Sequence, residues 1–141
     1  MGDRESTAVR ERKHEALATV RLVNKDGDVI FHRGDEGDEL FFIRRGAVRI
    51  LLPIVAKHTH HLATFGRGDF IGEMSFLDGA ARSADAVAFT DTDLYALSRR
   101  RFDEFSSQHK RVAINLFEGI ARMLALRMRF TNAELRLLQV S

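Results

Sequence analysis

Glu73 and Arg82 stand nine positions apart in FIGEMSFLDGAARSA, residues 70 to 84, a segment otherwise made mostly of apolar and small residues. Charge inside such a run is costly unless it is neutralised or hydrogen-bonded. Two arrangements meet that requirement: an internal Glu73–Arg82 salt bridge, or a ligand that each charge meets separately. Gly72 followed by Glu-Met-Ser-Phe-Leu reads as one or two helical turns opening at a glycine, and the first amides of a helix form an anion site. Arg82, arriving after the Asp-Gly-Ala-Ala turn, can set its planar guanidinium against the same anion through two hydrogen bonds. A carboxylate has the opposite chemistry and accepts from a hydroxyl. An anionic phosphate next to a sugar hydroxyl satisfies both groups. From the residues alone, the salt bridge and the ligand both stay open.

Two other clusters invite chemistry. His58 and His60, in His-Thr-His-His, share one face of a strand and could bind a transition metal. No suitably spaced acid and third histidine complete the set, so an exposed polar strand is the expectation and no metal site is assigned. Arg99, Arg100 and Arg101 could contact phosphate or nucleic acid, although they open a helix, where positive charge opposes the macrodipole. A solvated surface is the expectation there. The chain has no Walker-type loop, no nucleophile elbow with a Ser-His-Asp set and no paired-carboxylate signature, so no catalytic residue is assigned.

These residues must be positioned by a chain of 141 residues, a length that suits one domain with a sizeable core. Apolar residues make up 45% and charged residues 30%, the balance of a globular rather than a disordered chain. There is no cysteine, which excludes a disulfide framework, a thiolate zinc site and a cysteine nucleophile. No apolar run reaches the ~18 residues of a membrane span and no signal pattern opens the chain, so a cytoplasmic location without membrane insertion is expected. The net charge of +2 is too small to indicate nucleic acid as a partner. From Arg99 onward nine Lys or Arg face four Asp or Glu, a basic stretch read as a solvated helix face.

Three zones follow along the single expected domain, residues 1–141. Residues 1–18, polar with scattered Ala, Val and Leu, are expected to form a helix. Residues 19–98 hold short β-rich runs, among them DVIF, LFFIRR and AVRILLPI, separated by glycines, which predicts a compact antiparallel roll. Pro53 cannot donate to a ladder and belongs at an edge or a bulge. Residues 99–141 turn helical, first Arg99–Ser107 with Ser98 as N-cap, then Lys110 to about Leu138. In the long helix Ile114, Phe117, Ala121, Leu124, Met128, Thr131, Leu135 and Leu138 form a heptad seam. Leu116, Ile120, Met123 and Phe130 make a second stripe. Two stripes ask for two partners, the roll and a second copy of the chain, unless they merge into one broad core face.

The opening stretch resembles the phosphate-binding cassette of the cyclic nucleotide-binding domain family, whose usual form is F-G-E-x-A-L-x-x-x-x-P-R-x-A. GDEGDELFFIRRGAVRI, residues 34 to 50, and DTDLYALSRRRF are similar to strands of the same family. The resemblance runs from about Val29 to the last helix, and the Glu-to-Arg spacing matches. It implies a mainly β fold: an antiparallel, jelly-roll-like β-roll of eight strands with a short cassette helix and a long C-terminal helix. It implies a non-enzymatic regulatory domain that binds cyclic AMP or cyclic GMP through cassette residues Gly72, Glu73, Met74, Ser75, Arg82, Ser83 and Ala84. Gly72 and Glu73 would take the ribose 2′-hydroxyl. Arg82 would pair with the cyclic phosphate, helped by the Ser75 amide and Ser83. Ala81 replaces the usual proline, which is expected to loosen the turn before Arg82, and Ser75 replaces the usual alanine.

Ser83, where threonine tends to favour guanine, leans toward cyclic AMP over cyclic GMP. Arg127 interrupts the second stripe between Met123 and Phe130, where it could stack on the purine or simply face solvent. Almost nothing follows Leu138, so no DNA-reading segment is expected, and the chain is expected to be a module of a larger bacterial protein such as a transporter, channel or enzyme. Expected partners are the nucleotide, a second copy through the C-terminal helix and a covalently linked effector domain. The rival readings are a nucleotide-free β-roll serving as a dimerisation module and a cupin-type enzyme.

Overall fold

Short alternating runs become strands here, and a few glycine turns set where they stop. A computed structural model describes residues 8–14, 19–55 and 58–140, with the backbone alone at 8–14, 54, 55, 58, 135, 139 and 140. The chain divides into two compact units, Met1–Phe105 and Ser106–Ser141.

The first unit holds nine strands among the described residues: β1 (Ala8–His14), β2 (Thr19–Asn24), β3 (Val29–Phe31), β4 (Leu40–Arg45), β5 (Ala47–Val55), β6 (His58–Gly66), β7 (Phe70–Ile71), β8 (Asp85–Ala88) and β9 (Thr92–Leu97). Helix α1 (Glu73–Asp78) interrupts them after β7, and α2 (Arg99–Ser106) follows β9. All pairings are antiparallel, in one sheet ordered β1-β2-β9-β4-β7 and another ordered β3-β8-β5-β6. Strands β2 to β9 are the eight of the expected roll.

Strand β1 corrects the expectation of an N-terminal helix over residues 1–18. Residues 8–14 pair antiparallel with β2, from Ala8 opposite Asn24 to His14 opposite Thr19. An open sheet edge offers a row of backbone hydrogen bonds that a lone polar helix of this length cannot match. The rest of the expected helix, residues 1–7 and 15–18, lies outside the described residues.

One face of each sheet makes the core: Leu22, Ile30, Phe31, Phe41, Ile43, Val48, Ile71, Ala86, Leu94 and Ala96. Alternation explains the membership, since Phe41 and Ile43 face inward while Phe42 turns out to meet Phe70 edge-on at 5.2 Å. Burying each large side chain contributes about 1.5–3 kcal/mol. Central strand β9 also carries the buried Asp93, which accepts from Arg21 of β2 at 3.1 Å and from Arg44 of β4 at 3.4 Å. Pro53 sits opposite Thr59 beyond the stretch of β5 that pairs with β8, at an irregularity in the β5–β6 register. That is the edge position its missing N–H requires.

The second unit is α3 (Lys110–Val140), 31 residues long. On its heptad seam Ile114 and Met128 are exposed, with relative accessibilities of 57% and 66%. The side chain of Leu135 lies outside the described residues. No helix among the described residues is long and apolar enough to cross a membrane.

Candidate functional site

The cassette is built around a strained turn. Gly72 precedes α1 in the left-handed conformation (φ 80°, ψ 12°) and its carbonyl accepts from the Phe76 amide at 3.2 Å, opening the helix. A side chain at this position would be excluded twice over, because a Cβ would lie 2.7 Å from Arg82 Nη1 and 2.9 Å from the Glu39 carbonyl oxygen. Helix α1 ends after six residues at Gly79, also left-handed, whose amide donates to the Ser75 carbonyl at 2.8 Å.

Arg82 is the most confined charge of the site, with only 3% of its surface accessible. Its backbone is fixed first. The Arg82 amide donates to the Asp35 carbonyl at 3.0 Å, and the Arg82 carbonyl accepts from the Gly34 amide at 2.8 Å. Asp78 Oδ1, accepting from the Ala80 amide at 2.9 Å, shapes the turn before it. These bonds hold Arg82 in place, with Ala81 rather than a rigid residue before it. The guanidinium then donates from Nη1 to the Gly72 carbonyl at 3.1 Å and from Nη2 to the Glu39 carbonyl at 2.9 Å. Its carbon lies 4.4 Å from the centre of the Phe31 ring and 5.6 Å from that of Phe41. A guanidinium has five N–H donors in a planar fork, and two are spent on these carbonyls.

The structure therefore brings the two ends of the cassette together. Gly72 and Arg82 touch directly, and Glu73 and Ser75, on the first turn of α1, are both buried. Ala84 is buried, whereas Met74 and Ser83 are exposed. Arg127 lies on α3 in the other unit, where its Nη2 donates to Met123 Sδ at 3.0 Å.

Other contributors escape the cassette pattern. Phe31, Gly37, Glu39 and Phe41 all border the Arg82 guanidinium, and a Cβ on Gly37 would stand 3.4 Å from its Nη2. The paired glycines of Arg-Gly-Asp-Glu-Gly-Asp, residues 33 to 38, are the signal that could have found this wall.

The remaining sequence candidates resolve differently. The side chain of His58 lies outside the described residues, His60 is exposed on β6, neighbouring His61 Nε2 lies 2.8 Å from Thr64 Oγ1, and no group of three metal-ligating side chains occurs among the described residues. Of the three successive arginines, Arg100 is exposed and faces Glu104 at 3.7 Å, as a solvated helix face should. Arg99 departs from that expectation. It binds Asp103 at 3.0 Å and donates to the Phe76 carbonyl at 3.1 Å, tying α2 to the cassette helix, where Phe76 and Phe102 stack edge-on at 5.5 Å. The Ser98 hydroxyl accepts from the Arg101 amide at 3.2 Å, the N-cap bond its sequence position predicts.

Residues 22–109 match the model of the cyclic nucleotide-binding domain. The chain belongs to that family. A cyclic AMP receptor protein of Thermus thermophilus is 39% identical over 118 residues, covering 84% of this chain and 53% of the receptor. Glutaminase 1 of Bradyrhizobium diazoefficiens is 34% identical over 123 residues, covering 87% of this chain and 19% of that enzyme. The crystal structure of a cyclic nucleotide-binding domain from Methylobacillus flagellatus superposes with a TM-score of 0.74 at 30% identity, covering 79% of this chain and 62% of that one. The chain thus spans about half the length of the Thermus receptor and a fifth of the glutaminase.

Proposed function

We propose that this domain binds a cyclic nucleotide, cyclic AMP in preference to cyclic GMP, and transmits its occupancy to an effector in the same larger protein. One observation carries the reading: a buried arginine, its backbone and guanidinium both anchored, stands against the glycine that opens α1, next to the buried Glu73. Arg82 takes the cyclic phosphate, assisted by the Ser75 amide and the Ser83 hydroxyl. Glu73 accepts the ribose 2′-hydroxyl beside Gly72. Phe31 and Phe41 shield the guanidinium from water, which strengthens its pairing with an anion. Signalling is a population shift, in which nucleotide favours the arrangement of the chain that it binds better. The exposed seam residues Ile114 and Met128 support a dimer formed through α3. The partial coverage of the relatives supports an effector elsewhere in the parent protein, and a cytoplasmic site of action fits this reading.

Calorimetry with cyclic AMP tests it. Wild-type protein should bind cyclic AMP more tightly than cyclic GMP, by about tenfold. Arg82→Ala should lose on the order of 30- to 5000-fold in affinity, the cost of a shielded, charge-assisted phosphate contact. Circular dichroism of the variant should remain that of the wild type. A wild type that binds neither nucleotide would leave the roll as a dimerisation module and sink the proposal.

A further inference from the structure

Arg44, Arg45 and Arg67 line one open depression of about 390 Å³, with Phe42 and Tyr95 among its other walls. Three positive side chains converging on one concavity need a physical cause, since like charges repel. The backbone supplies it. The pairing of β4 with β9 shifts register between Ile43 and Arg45, and such an irregularity lets two successive side chains reach one side of a sheet. The turn between β6 and β7 brings the third. The Gly68 amide donates to the Ile43 carbonyl at 2.9 Å, and the Ile43 amide donates to the Asp69 carbonyl at 2.9 Å, which clamps Arg67 beside β4.

Charge accounting within the depression leaves it strongly positive. Arg44 reaches Asp93 at 3.4 Å, but Asp93 is also engaged by Arg21, at 3.1 Å. Arg45 and Arg67 are exposed and have no ion-pair partner among the described residues. Phe42 lies on the face of β4 opposite Phe41, and Phe41 is the ring beside Arg82. The depression therefore sits across the sheet from the cassette and shares no residue with it.

We propose that this depression is a second anion site, which takes a small phosphate-bearing ligand. Its phosphate pairs with the guanidiniums of Arg45 and Arg67, with Arg44 as a third contact, through the bidentate geometry that arginine offers to phosphate oxygens. The apolar part of the ligand lies against Phe42 and Tyr95. Depressions of this volume suit small ligands, and their polar groups set orientation while the aromatic ones supply contact area.

Inorganic pyrophosphate is the probe, added to the isotope-labelled 141-residue chain while amide shifts are followed by NMR. Saturable shifts are expected at Arg45 and Gly68, weakening as salt rises. The double variant Arg45→Gln, Arg67→Gln should bind pyrophosphate at least about tenfold more weakly, since charged hydrogen bonds of this kind are lost with each arginine. Arg67 lies on an exposed turn, so Arg67→Gln alone gives the same readout if the double variant does not fold. Shifts confined to Gly72 and Ala84 would place the anion at the cassette and overturn the proposal, as would undiminished binding by the variants. A response to poly-glutamate with none to pyrophosphate would overturn it in favour of an acidic polypeptide surface.

Discussion

Gly72→Ala separates backbone strain from steric exclusion at the cassette. A non-glycine residue in the left-handed region costs roughly 1–2 kcal/mol. At Gly72 (φ +80°) the added Cβ also meets Arg82 Nη1 at 2.7 Å and the Glu39 carbonyl at 2.9 Å. The second of these is backbone and cannot swing aside, so overpacking adds about 1–3 kcal/mol. The expected loss is then about 2–5 kcal/mol, a fall in urea midpoint of roughly 1–2.5 M for a slope of ~2 kcal/mol/M. Gly27→Ala is the matched control, because Gly27 has φ +91° and nothing within 4 Å of its added Cβ. It should cost only the backbone term, about 1–2 kcal/mol, and leave cyclic AMP affinity alone. Gly72→Ala should also weaken cyclic AMP by at least about tenfold, because Arg82 must move from the Gly72 carbonyl. Urea titration and calorimetry on both variants read the two quantities. Equal midpoints for the two variants, or wild-type affinity in Gly72→Ala, would refute the close approach of Gly72 to Arg82.

Three further outcomes follow from the same geometry. Glu73→Gln should weaken cyclic AMP by about tenfold or less, since the amide oxygen still accepts a hydroxyl, and 2′-deoxy cyclic AMP should lose little more on that variant; full additivity of the two losses would remove Glu73 from the ribose. Phe102→Ala, deleting a ring that is 1% exposed and stacked on Phe76, should cost about 3–5 kcal/mol in denaturant unfolding, and a loss under about 1 kcal/mol would show that α2 is not packed on the cassette helix. Leu124→Glu combined with Met128→Glu should give a monomer in equilibrium sedimentation at micromolar concentration, and a wild type already monomeric there would exclude the seam as the dimer contact.

The parts of the fold read most directly from the sequence are those with local causes. Gly72 and Gly79 bracket α1, Ser98 caps α2, and Pro53 marks a register irregularity of β5, each through chemistry confined to a few neighbouring residues. The spacing of Glu73 and Arg82 was legible as well, because the turn between them is short. What Arg82 rests on was not. Glu39 is 43 residues away and supplies a backbone carbonyl, an atom every residue carries, so no side-chain pattern announces it. Strand β1 was missed for the same reason: its polar sequence suits a helix, and the decisive factor is an open edge on β2. Arg99 looked like surface charge because the carbonyl it holds belongs to Phe76, 23 positions earlier.

The central place of β9 has a consequence for synthesis. Its neighbours β2 and β4 are complete by Arg45, yet the strand that joins them begins only at Thr92. At 5–20 residues per second the ribosome takes about 2–10 s to make the intervening chain. Throughout that interval both strands present open edges, and the buried carboxylate that Arg21 and Arg44 share does not yet exist. The cassette is made before β9, but the sheet behind it cannot close until Leu97 has left the exit tunnel. Nascent chains of this protein are thus exposed to edge pairing with one another while the centre of their own sheet is still missing. Slowing translation at any point before Leu97 has emerged lengthens that exposure, whereas slowing it afterwards does not.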